Sequence, residues 1–71
     1  MQKCDLVMIR GFRGGPVRNV IPRHSLDRGI LIPHGTTAVV LETGPTKSRV
    51  LLESKQLWIY NNDMEVVNAE G

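Results

Sequence analysis

The stretch "GTTAVVLETGPTKSRVLLESKQLWIYNNDMEVV", residues 35–67, decides the fold. Its apolar runs "TTAVVLE" (36–42), "SRVLLE" (48–53), "QLWIY" (56–60) and "MEVV" (64–67) are short and rich in β-branched or aromatic residues, which predicts strands. No segment longer than about six residues places apolar side chains at the i, i+3, i+4, i+7 spacing of an amphipathic helix. The connections agree. Gly44 and Pro45 break the chain inside "ETGPTKS" and predict a longer hairpin loop. Only Ser54-Lys55 separates "VLLE" from "QLWI", which predicts a tight hairpin. Asn61-Asn62-Asp63 is expected to make one turn of 3₁₀ type, because Asn and Asp side chains bond readily to nearby main chain.

Upstream, "DLVMI" (5–9) reads as a fifth strand, and a long connection, residues 10–35, follows it. That connection holds five of the seven glycines and three of the four prolines. Pro16, Pro22 and Pro33 exclude a regular helix or a central strand across it. A loop of this length in a small domain either has a job or packs on itself. "VRNVIP" and "GILIP" supply apolar residues for an irregular ribbon, so the connection is expected to fold over the barrel as a flap. Val20, Ile21, Leu26, Ile30 and Ile32 are its expected partly buried residues.

A chain of 71 residues forms one domain with a thin core. Its longest apolar runs fall far short of the ~20 residues that cross a bilayer, so no membrane association is expected. "MQKCDLV" carries no apolar stretch suited to a secretory leader, and the single cysteine, Cys4, forms no disulfide framework. Cys4 reads as a small, buried or half-buried hydrophobe at a strand start. The expected location is the cytoplasm or a particle assembled there. Net charge is only +2, but its distribution is uneven. From Arg10 to Arg28 five arginines face one acid, Asp27, giving 5 − 1 = +4. From Glu42 onward three bases face five acids, giving 3 − 5 = −2. Arginine's planar fork pairs bidentately with phosphate or carboxylate.

Five short strands, a long connection after the first, and a one-turn helix before the last resemble the SH3-like barrel. Residues 35–67 look like the "G-x-x-x-V-V … V-L … W-I/V … D-L-E-V-I" pattern of small bacterial and bacteriophage SH3-like proteins. The resemblance implies an all-β, five-stranded barrel in which 10–35 is the RT-type loop, 43–47 the n-Src loop, Ser54-Lys55 the distal hairpin and Asn61-Asn62-Asp63 the 3₁₀ turn. The chain departs from peptide-binding SH3 domains, whose groove is paved with aromatics. Phe12, Trp58 and Tyr60 are its only aromatic residues, so polyproline recognition is not expected. "GTTAVVLE" lacks the following base of RNA-binding KOW motifs.

The candidate contacts follow from residue type. Trp58 and Tyr60 alternate on one strand and share a face, with Leu57 and Ile59 on the other. The expectation is Leu57 and Ile59 inward, Trp58 half-buried and the aromatic pair offered as a ledge. "GFRGGPVR" (11–18) sets Phe12, Arg13 and Arg18 among glycines, faintly like an RGG segment. The bland reading is a loop that needs glycine for its turns and arginine for solubility. No "G-x-x-x-x-G-K-S/T" phosphate loop is present. Neither His24 nor His34 has a second His, Cys or acid at metal-ligand spacing apart from "HSLD" (24–27), a common accidental pair, so no metal or cofactor is expected. Ser25 beside His24 lacks the oxyanion hole and pocket of a triad, so no catalysis or small-molecule substrate is expected. The sequence therefore predicts a non-catalytic interaction module. Its expected partner is a protein, either further copies of the chain or a larger phage-type or host assembly. It is met through Phe12, Arg13, Arg18, Arg23, Trp58 and Tyr60. Nucleic acid held by the arginines of 10–28 is the alternative.

Overall fold

A computed structural model describes residues 1–21, 23–26 and 28–67. Among these the chain is all-β: β1 (Leu6–Ile9), β2 (Val17–Arg18), β3 (Leu31–Ile32), β4 (Thr37–Glu42), β5 (Lys47–Leu52), β6 (Lys55–Tyr60) and β7 (Met64–Val66). Single 3₁₀ turns span Phe12–Gly14 and Asn61–Asp63. The five strands expected from the apolar runs assemble into one antiparallel sheet in the order β6-β5-β4-β1-β7, and β2 pairs with β3 as a separate ribbon.

Period-two alternation decides which side chains are buried. Val7 and Ile9, Ala38 and Val40, Ser48, Val50 and Leu52, Ile59 and Met64 point to one face and are buried. The ribbon supplies the opposite wall: Val17 and Ile32 join the same core, with Ile30 and Leu57 packed against it. A bulge between Val40 and Glu42 shifts the β4–β5 register and bends that strand.

Four expectations change. Cys4 is exposed, with φ 74°, in the turn ahead of β1 rather than buried or half-buried at a strand start. The sheet is open rather than hydrogen-bonded into a closed barrel: β6 and β7 are its two ends. The flap instead occupies part of the β6 edge, where the Val20 N–H donates to the Trp58 carbonyl at 2.7 Å. The β5–β6 hairpin turns on Glu53-Ser54, because Leu52 pairs with Lys55. Glu53 takes φ 56°, the positive φ that a type II′ turn needs at its first loop position. Leu26 is 99% exposed instead of partly buried. Among the described residues, the backbone bonds nearest to Leu26 are Val20–Trp58 and Asn19–Ile30, and neither involves Leu26. Val20, Ile21 and Ile30 are half-buried and Ile32 buried, as the ribbon reading requires. Pro22, Asp27 (and with it the "HSLD" pair) and Glu70 lie outside the described residues.

Candidate interaction surface

The candidate residues fall into three groups rather than one patch. The first is the turn at Phe12–Gly14. Gly11 is buried at its base, its N–H donating to His34 Nδ1 at 3.1 Å. A Cβ at Gly11 would collide with the Gly15 carbonyl oxygen, so the chain closes this tightly only around glycine. Gly14 N–H donates to Gly11 O at 3.2 Å and Gly15 N–H to Phe12 O at 3.0 Å. The turn that results is ordered, and it puts Phe12 outside, 86% exposed, with the Arg13 guanidinium 5.3 Å from its ring centroid. Arg13 sits at φ 55°, ψ 31°, the left-handed region, which costs a non-glycine residue roughly 1–2 kcal/mol.

The second group lies along the ribbon. Arg18 stands opposite Leu31, and its guanidinium donates to the Arg28 carbonyl. Arg23 is exposed in the far turn of the flap. Between the flap and β6 an open depression of about 280 Å³ is lined by Asn19, Arg28, Gly29, Ile30 and Leu57. Asn19 Oδ1 accepts the Ile30 N–H at 2.8 Å and holds its rim.

The third group is the outer face of β5 and β6. Trp58 is half-buried and Tyr60 51% exposed, both pointing away from the core as alternation requires, with Ile59 buried between them. Register brings up residues that sequence spacing did not single out. Lys47 pairs with Tyr60 and Arg49 with Trp58. The Lys47 ammonium stands 5.6 Å from the Trp58 ring centroid, within cation–π range. The Arg49 terminal nitrogens engage Glu42 at 3.2 Å and Gln56 at 3.3 Å, while its Nε is enclosed without an acceptor among the described residues. The flap reaches this face only through Val20, so the loop arginines and the aromatic ledge do not converge on one ligand position among the described contacts.

Beside Tyr60 lies a groove of about 500 Å³ that sequence spacing does not reveal, lined by Pro45, Thr46, Tyr60, Asn61, Asn62 and Asp63. Asn61 builds its wall. The Asn61 N–H donates to Thr46 O at 2.8 Å, its Nδ2 donates to Gly44 O at 3.0 Å, and its Oδ1 accepts the Ser48 hydroxyl at 2.6 Å. The "ETGP" loop and the 3₁₀ turn are thereby fastened to each other. The "NND" triplet signalled the turn, but only the fold shows that its first Asn reaches two other segments. No contact holds the Asp63 carboxylate among the described residues, although the Asp63 carbonyl accepts the Arg10 N–H at 2.8 Å.

Three or more metal-ligating side chains do not cluster anywhere among the described residues, and no described helix is long and apolar enough to cross a membrane. His34 is occupied by Gly11, and His24 is exposed in the flap. Comparison with family models, with curated proteins and with solved structures finds no match to the chain.

Proposed function

We propose that the chain is a non-catalytic interaction module of SH3-like design that binds another protein through the tip of its flap. The fold part of this reading is supported by the sheet order β7-β1-β4-β5-β6, the bulge in β4, the 3₁₀ turn before β7 and a long first connection that returns to the edge of β6. Phe12 carries the functional part. A large aromatic side chain that is 86% exposed, on a turn held by two backbone–backbone bonds and the Gly11–His34 bond, buries almost nothing within its own chain. Its neighbour Arg13 occupies a backbone conformation that Gly or Asn would take with less strain, which points to a use for the guanidinium itself. An aromatic and an arginine, ordered before contact, are the residue types that anchor protein interfaces.

Affinity capture from the native host with wild-type bait and Phe12→Ala bait tests the reading. A partner held by the first and lost by the second supports it. An identical set of captured proteins overturns the assignment to the flap tip. A second reading draws on the exposed side chains of Arg10, Arg13, Arg18, Arg23 and Arg28, which suit a phosphate backbone. Under that reading an oligonucleotide binds at low salt, and log affinity falls with log salt at a slope near −0.9 for each duplex phosphate neutralised. Absence of a gel shift at low salt removes it.

A further inference from the structure

The flap tip and the Tyr60 groove are joined through one hydrogen bond. The hydrogen bond from the Arg10 N–H to the Asp63 carbonyl, 2.8 Å, ties the base of the tip to the groove's wall. Phe12 follows Arg10 by two residues, at most about 7 Å of extended chain. The two features are also chemically complementary. The tip offers a phenyl ring and a guanidinium that has no hydrogen bond or ion pair among the described residues. The groove offers the Pro45 and Tyr60 rings and one charged group, the Asp63 carboxylate, equally unpaired among the described residues. Asn61 fixes the groove's shape in advance through its bonds to Gly44, Thr46 and Ser48. A guanidinium matches a carboxylate in a planar fork and stacks on a tyrosine face.

We propose that the groove formed by Pro45, Tyr60 and Asp63 receives the Phe12–Arg13 tip of a second copy of this chain. Each copy carries both knob and hole, linked through the Arg10–Asp63 bond, so the proposed pairing is a closed two-fold dimer in which both contacts form at once. The lopsided charge of the sequence, +4 over residues 10–28 and −2 from Glu42 onward, favours the same head-to-groove approach. The inference rests on the interaction-module reading and specifies its partner.

A charge exchange tests it without knowledge of any other protein. Arg13→Glu sets like charges in both contacts of the dimer, and so does Asp63→Arg. Sedimentation equilibrium of the wild type from micromolar to millimolar concentration is expected to show a monomer–dimer equilibrium. Each variant alone is expected to weaken it by at least about tenfold, since like-charge juxtaposition is strongly unfavourable. An equimolar mixture is expected to restore it, because a mixed dimer sets opposite charges in both contacts. Urea unfolding of each variant checks that the fold survives, and Phe12→Ala gives a third, uncharged disruption. A wild type that stays monomeric throughout overturns the pairing, as does a dimer indifferent to all three substitutions. If the monomeric chain still captures a Phe12-dependent partner from the host, the pairing falls and the interaction module stands.

Discussion

Replacing Asn61 by alanine probes how the fold is locked. The side chain receives a bond from Ser48, a residue only 1% exposed, and gives one to the Gly44 carbonyl. Removing it loses two hydrogen bonds, each worth about 0.5–1.5 kcal/mol net, and strands a buried hydroxyl at about 1–3 kcal/mol. Partial access of water to the groove lowers the sum, so Asn61→Ala is expected to cost about 2–4 kcal/mol. A domain of this length has a total stability of only about 4–11 kcal/mol. Ser48→Ala removes the shorter bond but leaves the Asn61 amide oxygen near solvent, and it is expected to cost only about 1 kcal/mol. The asymmetry is the point, because an orphaned buried group matters more than the bond that is lost. In the double variant no hydroxyl remains to be orphaned, so the two substitutions are expected to couple by about 1–2 kcal/mol. Urea unfolding at constant m-value measures all three. Additive effects, or an Asn61→Ala cost below that of Ser48→Ala, would refute the reasoning.

Gly11→Ala drives a methyl group into the Gly15 carbonyl and is expected to destabilise by about 2 kcal/mol or more, read as a lower urea midpoint. Phe12→Ala, at a side chain 86% exposed, is expected to shift stability by less than about 0.5 kcal/mol while abolishing partner capture. Glu53→Gly relieves the positive φ at the β5–β6 turn and is expected to raise stability by about 0.5 kcal/mol, whereas Glu53→Val lowers it; thermal melts of both give the sign. Ile9→Val, in a fully buried position on β1, which pairs with β4 and β7, is expected to cost about 0.5–1.5 kcal/mol in the same assay.

The sheet was legible because alternation speaks plainly when one face is buried. Val50 and Leu52, or Ile59 between Trp58 and Tyr60, can only be read one way round. The ribbon was legible in outline, since Val17, Ile30 and Ile32 are too apolar for a solvated loop. Leu26 was not, because an isolated leucine between a proline and a glycine carries no period that would tell inside from outside. The Glu53-Ser54 turn was displaced by one residue for a related reason. Neither Glu nor Ser advertises a positive φ, so register, not turn chemistry, sets that hairpin. The groove was invisible for a different reason. It is built from Pro45 and Tyr60, fifteen residues apart in sequence, and its shape depends on what one asparagine reaches across space.

The flap has two loyalties, and they separate by side chain. Val17 and Ile32 are buried in the same core as the sheet, so the flap is part of the folded unit and its loss would open the hydrophobic cluster. Phe12, Arg18 and Leu31 belong to the same connection but face away. Substitutions at Val17 or Ile32 should therefore lower stability and binding together. Substitutions at Phe12 or Arg13 should lower binding alone. A small domain with a thin core gains from this arrangement, because the long segment that presents the contact also covers the apolar face of the sheet. The tip is in turn held by groups of the sheet's own neighbourhood, with Gly11 bonded to His34 and Arg10 bonded to Asp63, so its order survives only while the fold does. A His34→Ala variant separates order from surface chemistry: it leaves Phe12 and Arg13 in place while removing the acceptor that holds Gly11. Weaker partner capture by that variant, with Phe12 and Arg13 unchanged, is the expected mark of a contact that depends on its preformed shape. Undiminished capture would mean that the two side chains act equally well from a slack loop, and the argument from an ordered tip would fail.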